Sequence, residues 1–573
     1  MRRDVNRWNF VLVSVVVSFA LGCLGFWQYG RLHGHAYTVW DICYLSWQLF
    51  PLQSGAQPGT IPLSLEIARV IAPITTASAL IGVSYGYLRE LRRGERLSAI
   101  RNHVVVCGLG RRGIQLAEEC VAMGKRVVAI DAHSNTKSLP IVESGHVLLV
   151  TGDATHLETL RRAGVHRAES LLALCGDDGT NIAIAMRARD LLAAASEHAR
   201  PKRLRCVVQV MDFTFAALFK EHGVVQDTAG TLDVALFNSY EAAARMLWRD
   251  RPLDYEPIGE NDPRSVRLVV FGLGQMGESV VVQAAKVCHL ANGKRLRVTI
   301  IDRAADARMR SLLVRYPRID NVCDIECIEM ECDDRITVNR LDEIVEIKDE
   351  LTTIVVCLDN DSQNVQYAIS LRRNLTSDAV PVHVRVTSDT GLSNLFRGAG
   401  DSRNIFCFGS TGSTCTWEMA NGEGLDALAR AIHEDYVAHQ RERGAKPGDS
   451  TVEWDKLAPG LRDSNRQQAD HLPVKLRALG YSVRHAHEVP GAVRVPEDRI
   501  ETLARMEHHR WNAERFLAGW TLGDKDVARR RSPYLVPYDE LPDAVKQYDR
   551  DTVRNMPRLV ELAKRTAGRG NSA

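Results

Sequence analysis

The stretch His103-Val-Val-Val-Cys-Gly-Leu-Gly-Arg-Arg-Gly113 is written twice in this 573-residue chain. It returns as Arg267-Leu-Val-Val-Phe-Gly-Leu-Gly-Gln-Met-Gly277. Each copy is an apolar run with strand character that breaks into G-x-G-x-x-G and then into a helical pattern. Glycine permits the tight turn and lets the backbone approach a pyrophosphate, which sits at the N-terminus of the following helix. One such motif is a weak signal. Two copies behind an apolar N-terminal segment narrow the reading to a nucleotide sensor coupled to a membrane element.

The repeat continues past the glycines. Arg126-Val-Val-Ala-Ile-Asp131 and Arg297-Val-Thr-Ile-Ile-Asp302 each read as a strand ending in an acid, 18 residues beyond Gly113 and 25 beyond Gly277. A ribose-binding carboxylate is expected about 20 residues on. The next pair is Leu171 to Asn181 and Thr353 to Asn364. The last is Cys206 to Asp212 with Leu218-Phe219, against Val382 to Asp389 with Leu395-Phe396. Strands alternating with helices imply right-handed crossovers and parallel sheets. The expected fold class is α/β, with two tandem Rossmann-like, doubly wound parallel sheets behind an α-helical membrane hairpin. A small, mainly α domain follows. The expected boundaries are 1–98 for the hairpin, 102–245 and 264–410 for the repeats, 411–450 for a connector and 451–573 for the C-terminal domain.

The formal charge of +2 gives no global field for nucleic acid, and an apolar content of 45% supports packed cores. Thirteen cysteines are scattered, several inside apolar strands (Cys107, Cys175, Cys357), as reduced thiols would be. Cys323, Cys327 and Cys332 lack knuckle spacing, so no metal site is expected.

Two apolar runs, Phe10 to Trp27 and Val70 to Leu88, have about the length that spans hydrocarbon; Pro73 is the one breaker in the second. Arg2, Arg3 and Arg7 precede the first. Arg89, Arg92, Arg93 and Arg96 follow the second. The positive-inside rule then puts both termini in the cytoplasm of a multi-pass inner (plasma) membrane protein. A cleaved signal peptide is disfavoured by the second run and the thiol-rich body. Between the runs, Val39 to Phe50 is amphipathic and too short to cross, as a re-entrant or interfacial helix is. That layout is similar to a two-span cation-channel pore. Potassium filters, however, use a T-V-G-Y-G-like strand, and Pro51-Leu-Gln-Ser-Gly55 stands here. A channel-like pore and a plain anchor both stay open. Two helices enclose no pore, so conduction requires a symmetric homo-oligomer, a dimer or tetramer.

The tandem repeats resemble the RCK family, also called TrkA-N, which regulates potassium channels and transporters. Gly152-Asp153-Ala154-Thr155 matches that family's G-D-A-T turn. The resemblance implies binding of NAD or an adenine nucleotide such as ATP or ADP, with binding moving a linker toward a pore. It places Gly108, Gly110 and Gly113 against phosphates, Asp131 on ribose hydroxyls, Arg111 and Arg112 as cationic contacts, and Asp153 and Thr155 beside the adenosine. Gly272, Gly274, Gly277 and Asp302 are the second copy's equivalents. That copy departs from the pattern: Gln275-Met276 replaces the arginine pair, and Glu331-Cys332-Asp333-Asp334 stands at the G-D-A-T position. An acid at the ribose position favours NAD-type over NADP-type ligands.

Gly444 to Ser450 is linker-like. Beyond it, Asp463 or Ser464 is the expected cap of one helix, and Pro496-Glu-Asp starts another. Leu503 to Trp511, Gly519-Trp520 to Gly523, and Pro533 to Leu541 are similar to the RyR domain, a repeat associated with adenine nucleotides. Trp511 and Trp520 beside Arg515, Arg529 and Arg530 can stack a base and neutralise phosphates, or can be core aromatics and a solvated basic run. Glu507-His508-His509 lacks the spacing of a zinc helix.

No P-loop and no acid–base pair marks an enzyme. The reading is therefore a nucleotide-sensing, ligand-gated ion-channel-like membrane protein of the potassium or cation transport type. NAD, an adenine nucleotide or a nucleotide-derived messenger is its ligand, and the lipid bilayer its surround. The alternative is a non-conducting membrane-anchored sensor that regulates a partner. An oxidoreductase using the dinucleotide folds is the third reading.

Overall fold

A computed structural model describes residues 2–51, 53, 59–133, 136, 139–194, 203–212, 231–331, 345, 349–388, 391, 404–421, 423–442, 444, 448 and 450–570. Leu52, Ser54 and Gly55 of the filter position lie outside the described residues. So do Leu218, Phe219, Cys332, Asp333, Asp334, Asp389, Leu395, Phe396 and linker residues 445–447 and 449. The chain divides into two compact units. One holds residues 1–101 with 133–149; the other holds 102–132 with 150–573.

In the first unit, α1 (Arg2–His33), α2 (Val39–Gln48) and α3 (Leu63–Ala99) form the helical N-terminal segment. Asn9–His33 and Leu63–Ile81 are long and apolar enough to cross a bilayer. Small residues set the packing. A Cβ on Gly25 would lie 2.7 Å from the Leu65 backbone, so α1 and α3 touch almost backbone to backbone. Phe26, Tyr29, Leu49, Leu65, Ala68 and Ala72 fill the small core. Phe10, Val13, Val16, Trp40, Trp47, Ile74 and Leu80 stay exposed, an apolar outer surface suited to lipid. Thr38 and Asp41 form a reciprocal capping box that starts α2. Pro73, expected as a breaker, lies inside α3, which runs on through it. A proline is tolerated where membrane neighbours support the helix.

The two sheets belong to the second unit except at β3, whose first residues fall in the first. β1 (Val104–Cys107), β2 (Val127–Asp131), β3 (Val147–Thr151), β4 (Ser170–Ala173), β5 (Leu204–Gln209) and β6 (Leu232–Phe237) form the first, in spatial order 3-2-1-4-5-6. β7 (Ser265–Phe271), β8 (Leu296–Asp302), β9 (Cys323–Glu329), β10 (Glu350–Val356), β11 (Val382–Arg385) and β12 (Ile405–Phe408) repeat that order in the second. The inner pairs are parallel, with Val105 opposite both Val128 and Leu171. Val270 likewise faces Ile300 and Val355. This is the doubly wound dinucleotide-binding arrangement, and its topological switch point lies between the first and fourth strands of each sheet. Fully buried Val, Ile and Leu runs are what helices on both faces demand.

The helices that matter below are α4 (Arg111–Ala122), α5 (Asp178–Ala194), α6 (Ser239–Asp250), α7 (Gln275–Val287), α8 (Ala305–Arg315), α9 (Asp361–Asn374), α10 (Glu423–Glu442), α11 (Pro459–Ala478), α12 (Ile500–Leu517), α13 (Asp543–Arg554) and α14 (Met556–Gly570). α6 leaves the first sheet and docks on α7, where the Trp248 indole donates to the Val280 carbonyl at 3.0 Å.

Helix α11 begins at Pro459, not at the expected cap. Pro459 presets the first helical turn, since its missing N–H is no loss there. Asp463 and Ser464 therefore fall inside the helix. Asp463 pairs with Arg466 at 2.6 Å, and the Ser464 hydroxyl donates to Glu514 at 2.9 Å. The C-terminal helices share one core with the second sheet: Leu472, Leu503, Met506 and Val560 pack in the same cluster as Val280 and Leu290. Buried ion pairs pin this junction. Arg245 binds Asp426 and Asp470, each at 2.9 Å; Arg477 binds Asp254 through two bonds of 2.7 Å; and Lys475 meets Glu507. A buried pair broken on one side leaves an uncompensated charge, at a cost of about 3–5 kcal/mol. No disulfide joins the described cysteines.

His289 and His383 are buried, and burial holds each down to about 3. The unfolded chain, with histidine near 6.5, takes up the proton first. Stability is therefore complete above pH 6.5 and falls as pH drops toward 3, by about 1.4 kcal/mol per pH unit for each histidine. Thermal midpoints measured from pH 7 to pH 5 should fall, and His383→Gln should flatten the slope. Parallel slopes for the two proteins would show that His383 takes up its proton in the folded state.

Candidate functional site

The first cradle assembles where β1, β2 and β4 end. Gly108 follows β1 with φ +88°, a left-handed conformation that side chains rarely adopt. Gly110 sits just before α4, whose first N–H groups point out of the turn. A Cβ at Gly113 would lie 1.9 Å from the Gly108 carbonyl oxygen, so only glycine lets α4 close onto the loop. Gly272 (φ +91°), Gly274 and Gly277 repeat the geometry, with 2.1 Å for the corresponding Cβ.

The acid at the end of the second strand grips the turn. Asp131 accepts a 2.8 Å hydrogen bond from the Leu109 N–H, and Asp302 accepts one of 2.8 Å from Leu273. A carboxylate has about four lone-pair sites, and this bond takes one. Asp153 accepts from the N–H and hydroxyl of Thr155, both at 2.8 Å, which holds its carboxyl below the usual range. Burial, with the nearby carboxylates of Asp131, Asp153 and Asp177, pushes the Cys175 thiol up to about 11. Three acids thus lie near one thiol just beyond the end of β4.

The arginines divide. Arg111 is exposed at the first turn of α4. Arg112 lies 5.6 Å from the Tyr240 ring on α6, a cation–π contact at the joint between the repeats.

The second cradle is internally filled. Arg308 of α8 places its Nε 3.2 Å from Asp302 and donates from Nη1 to the Leu273 carbonyl at 3.1 Å. The other Asp302 oxygen accepts from Ala304 at 2.9 Å, and Asp302 is buried. Here the carboxylate already holds a guanidinium.

In the C-terminal module, Arg515 lies over both indoles, 5.3 Å from the Trp511 ring and 4.7 Å from that of Trp520. Its buried Nε has no hydrogen-bond partner among the described residues, and neither has the neighbouring Asn512 Oδ1. Both tryptophans are half-buried. Arg529 is exposed and faces Asp526 at 3.8 Å; Arg530 donates to the Ala518 carbonyl at 3.1 Å. The structure therefore gathers Trp511, Arg515 and Trp520, while Arg529 points to solvent. His508 is held by the Val536 carbonyl at 2.8 Å. Among the described residues, no group of three or more His, Cys, Asp or Glu could hold a metal.

Residues 104–226 match the model of the TrkA-N domain, and residues 494–564 match that of the RyR domain. The chain carries both domains. It is 28% identical over 105 residues to potassium channel protein 1 of Methanocaldococcus jannaschii, covering 18% of this chain and 32% of that protein. It is 29% identical over 150 residues to the Trk system potassium uptake protein TrkA of Streptomyces coelicolor, covering 26% of this chain and 63% of that one. An uncharacterized protein of Methanothermus fervidus is 27% identical over 204 residues, covering 34% and 32%. The chain thus spans about a third of the length of the first two archaeal relatives. The GsuK channel bound to NAD covers 76% of this chain and 86% of its own at 12% identity, with a TM-score of 0.39, a likeness that fixes no finer detail.

Two pairs of residues escaped the sequence reading. Asn181 and Asn364 each clamp a loop from both sides: Asn181 accepts from the Cys175 N–H at 2.7 Å and donates to the Cys175 and Gln209 carbonyls. Asn364 does the same with Leu358 and Arg385. Asp178 and Asp361 accept from the N–H groups that follow the fifth strand of each sheet. Both pairs stand at equivalent positions of the quoted repeats, which is the signal that could have found them.

Gly113→Ala should push α4 off the TrkA-N turn. Overpacking of this kind costs about 1–3 kcal/mol, read as a lowered thermal midpoint. An unchanged midpoint would show that the loop yields freely.

Proposed function

We propose that this chain is a membrane-embedded nucleotide sensor of the potassium or cation transport type. NAD or an adenine nucleotide binds the first cradle. The single supporting observation is the Gly108–Gly113 turn held at the switch point by Asp131. Gly108, Gly110 and Gly113 approach the diphosphate, the N-terminus of α4 and Arg111 meet its charge, Asp131 takes ribose hydroxyls, and Asp153 and Thr155 border the adenosine. The second cradle, through Gly272, Gly274, Gly277 and Asp302, admits ligand only after Arg308 withdraws. In the RyR domain, Trp511, Arg515 and Trp520 take an adenine-bearing messenger, with Arg530 nearby and Arg529 as an outer charge.

Binding favours one arrangement of the second unit, and α3 carries that preference toward the bilayer, since it runs directly into β1. The names of three relatives contain potassium, which supports this transport class. The protein assembles as a homo-oligomer, dimer or tetramer, in an inner membrane with both termini cytoplasmic, and performs no bond-making chemistry. One observation favours a second reading, a non-conducting sensor that regulates a partner: Pro51-Leu-Gln-Ser-Gly55 departs from a potassium filter.

Asp131→Ala in full-length protein in nanodiscs should weaken NAD and ADP binding at least tenfold by calorimetry, about 1.4 kcal/mol. Asp131→Asn keeps an acceptor for Leu109 and should preserve the melting temperature while still losing affinity. Full affinity in both variants would remove the proposed cradle. In potassium-loaded liposomes, nucleotide-dependent efflux is expected of the pore, whereas flat traces from protein that binds nucleotide would establish the second reading. Arg308→Ala should add a second nucleotide per chain to the titration, and an unchanged stoichiometry would show that the second cradle is closed by more than this side chain.

A further inference from the structure

Away from both cradles and the tryptophan cluster, a cavity of about 600 Å³ opens among α6, α7, α10, α11 and α14. That volume lies within the range of about 300–1,000 Å³ typical of small-molecule sites. Its floor is apolar: Trp248, Leu253, Val287, Leu428, Val474 and Ala563 line it. Two buried arginines stand in its walls, but their charge is spent. Arg245 is closed off by Asp426 and Asp470, and Arg477 by Asp254 and the Val483 carbonyl.

The rim is different. Arg249, Arg484, His485 and His487 also line the cavity, and Arg249, Arg484 and His487 are exposed. The Arg484 guanidinium has no hydrogen-bond or ion-pair partner among the described residues, and Arg249 has only its neighbour Asp250, at 3.3 Å. The rings of His485 and His487 stack 5.3 Å apart at 5°. Arg484 also lies close enough to Arg251 to hold that guanidinium down, second to the effect of burial. Acids share the rim: Glu418 lines the cavity, and Asp250 and Glu488 lie 3.7 and 4.0 Å from His485, which leaves the Arg484 guanidinium as the rim cation with no carboxylate against it among the described residues. A cation would be repelled there, a neutral hydrocarbon would leave the rim unused, and a bare inorganic anion would leave the floor unused.

We infer that this cavity binds a small organic anion, its apolar body on the Trp248–Val474 floor and its phosphate or carboxylate at Arg249 and Arg484. The occupant touches α6, the helix that joins the two sheets, and α11 and α14 of the C-terminal helices together. It therefore stabilises one arrangement of these parts without entering a nucleotide cradle.

The probe is 2-naphthyl phosphate, titrated calorimetrically into full-length protein in nanodiscs with NAD saturating, and with empty nanodiscs subtracted. Binding is expected, with 2-naphthol and inorganic phosphate each at least tenfold weaker. Arg249→Ala and Arg484→Ala should each weaken it about fivefold, and the double variant should abolish it. Ala567→Trp, which fills the chamber, should abolish it with the NAD affinity unchanged. Leu428→Trp replaces Ala567→Trp if the latter lowers the melting temperature. No binding to the parent protein, unaltered binding in the double and filled variants, or displacement of the probe by NAD would each overturn the inference. Loss of NAD binding with the probe retained would overturn the nucleotide reading alone.

Discussion

One hydrogen bond recurs at the same place in both halves of this molecule, and much follows from it. A carboxylate at the end of the second strand holds the first N–H inside the glycine turn. That bond fixes the loop against the sheet edge. The third glycine then lets the following helix pack within van der Waals reach of the first glycine's carbonyl. The helix N-terminus is thereby aimed at the crevice above the switch point, where its partial positive charge is useful to an anion. An acid near this turn is thus a structural clamp, and under the function proposed above it is a recognition group as well, which couples the two tasks. Any substitution there tests both unless an acceptor for the N–H is kept.

The two copies share that clamp but spend their charge differently. Around the first, Asp131, Asp153 and Asp177 lie near Cys175, and burial with these carboxylates raises its thiol. Around the second, Arg308 bridges the carboxylate and the Leu273 carbonyl. An internal guanidinium on a buried carboxylate is a strong competitor for a ribose hydroxyl, because charge-assisted hydrogen bonds are roughly twice as strong as neutral ones.

The glycines, the strand-end acids and the parallel, doubly wound sheets were legible in the sequence because each is dictated locally. A left-handed turn demands glycine, and a buried parallel strand demands an unbroken apolar run. The repeat amplified these signals, since a chance match at one position rarely recurs at its equivalent. What stayed hidden depends on side chains that are distant in sequence. Nothing in Ala305–Arg315 announces that Arg308 reaches across to Asp302. Nor does the spacing of Trp511, Arg515 and Trp520 say that the arginine lies over both rings rather than beside them. The start of α11 was misplaced for a related reason. Asp463 and Ser464 are good caps in isolation, but Pro459 offers an earlier start; Asp463 then pairs with Arg466 inside the helix, and Ser464 reaches Glu514 of α12.

The C-terminal module shows why composition misleads about independence. A Gly-, Pro- and Ser-rich stretch precedes it, yet its helices share a core with the second sheet and are tied to it by Arg245 and Arg477. Buried charge pairs are poor sources of net stability, since desolvation offsets most of the attraction. Their value is in specifying one arrangement: an arginine with its carboxylates in place tolerates little sliding of one helix past another. Helices α6, α10 and α11 are therefore registered by charge, through Arg245 with Asp426 and Asp470. That is the property a sensor needs. A ligand that prefers one registered arrangement shifts the whole group, whereas loosely packed helices would absorb the same binding energy as local motion.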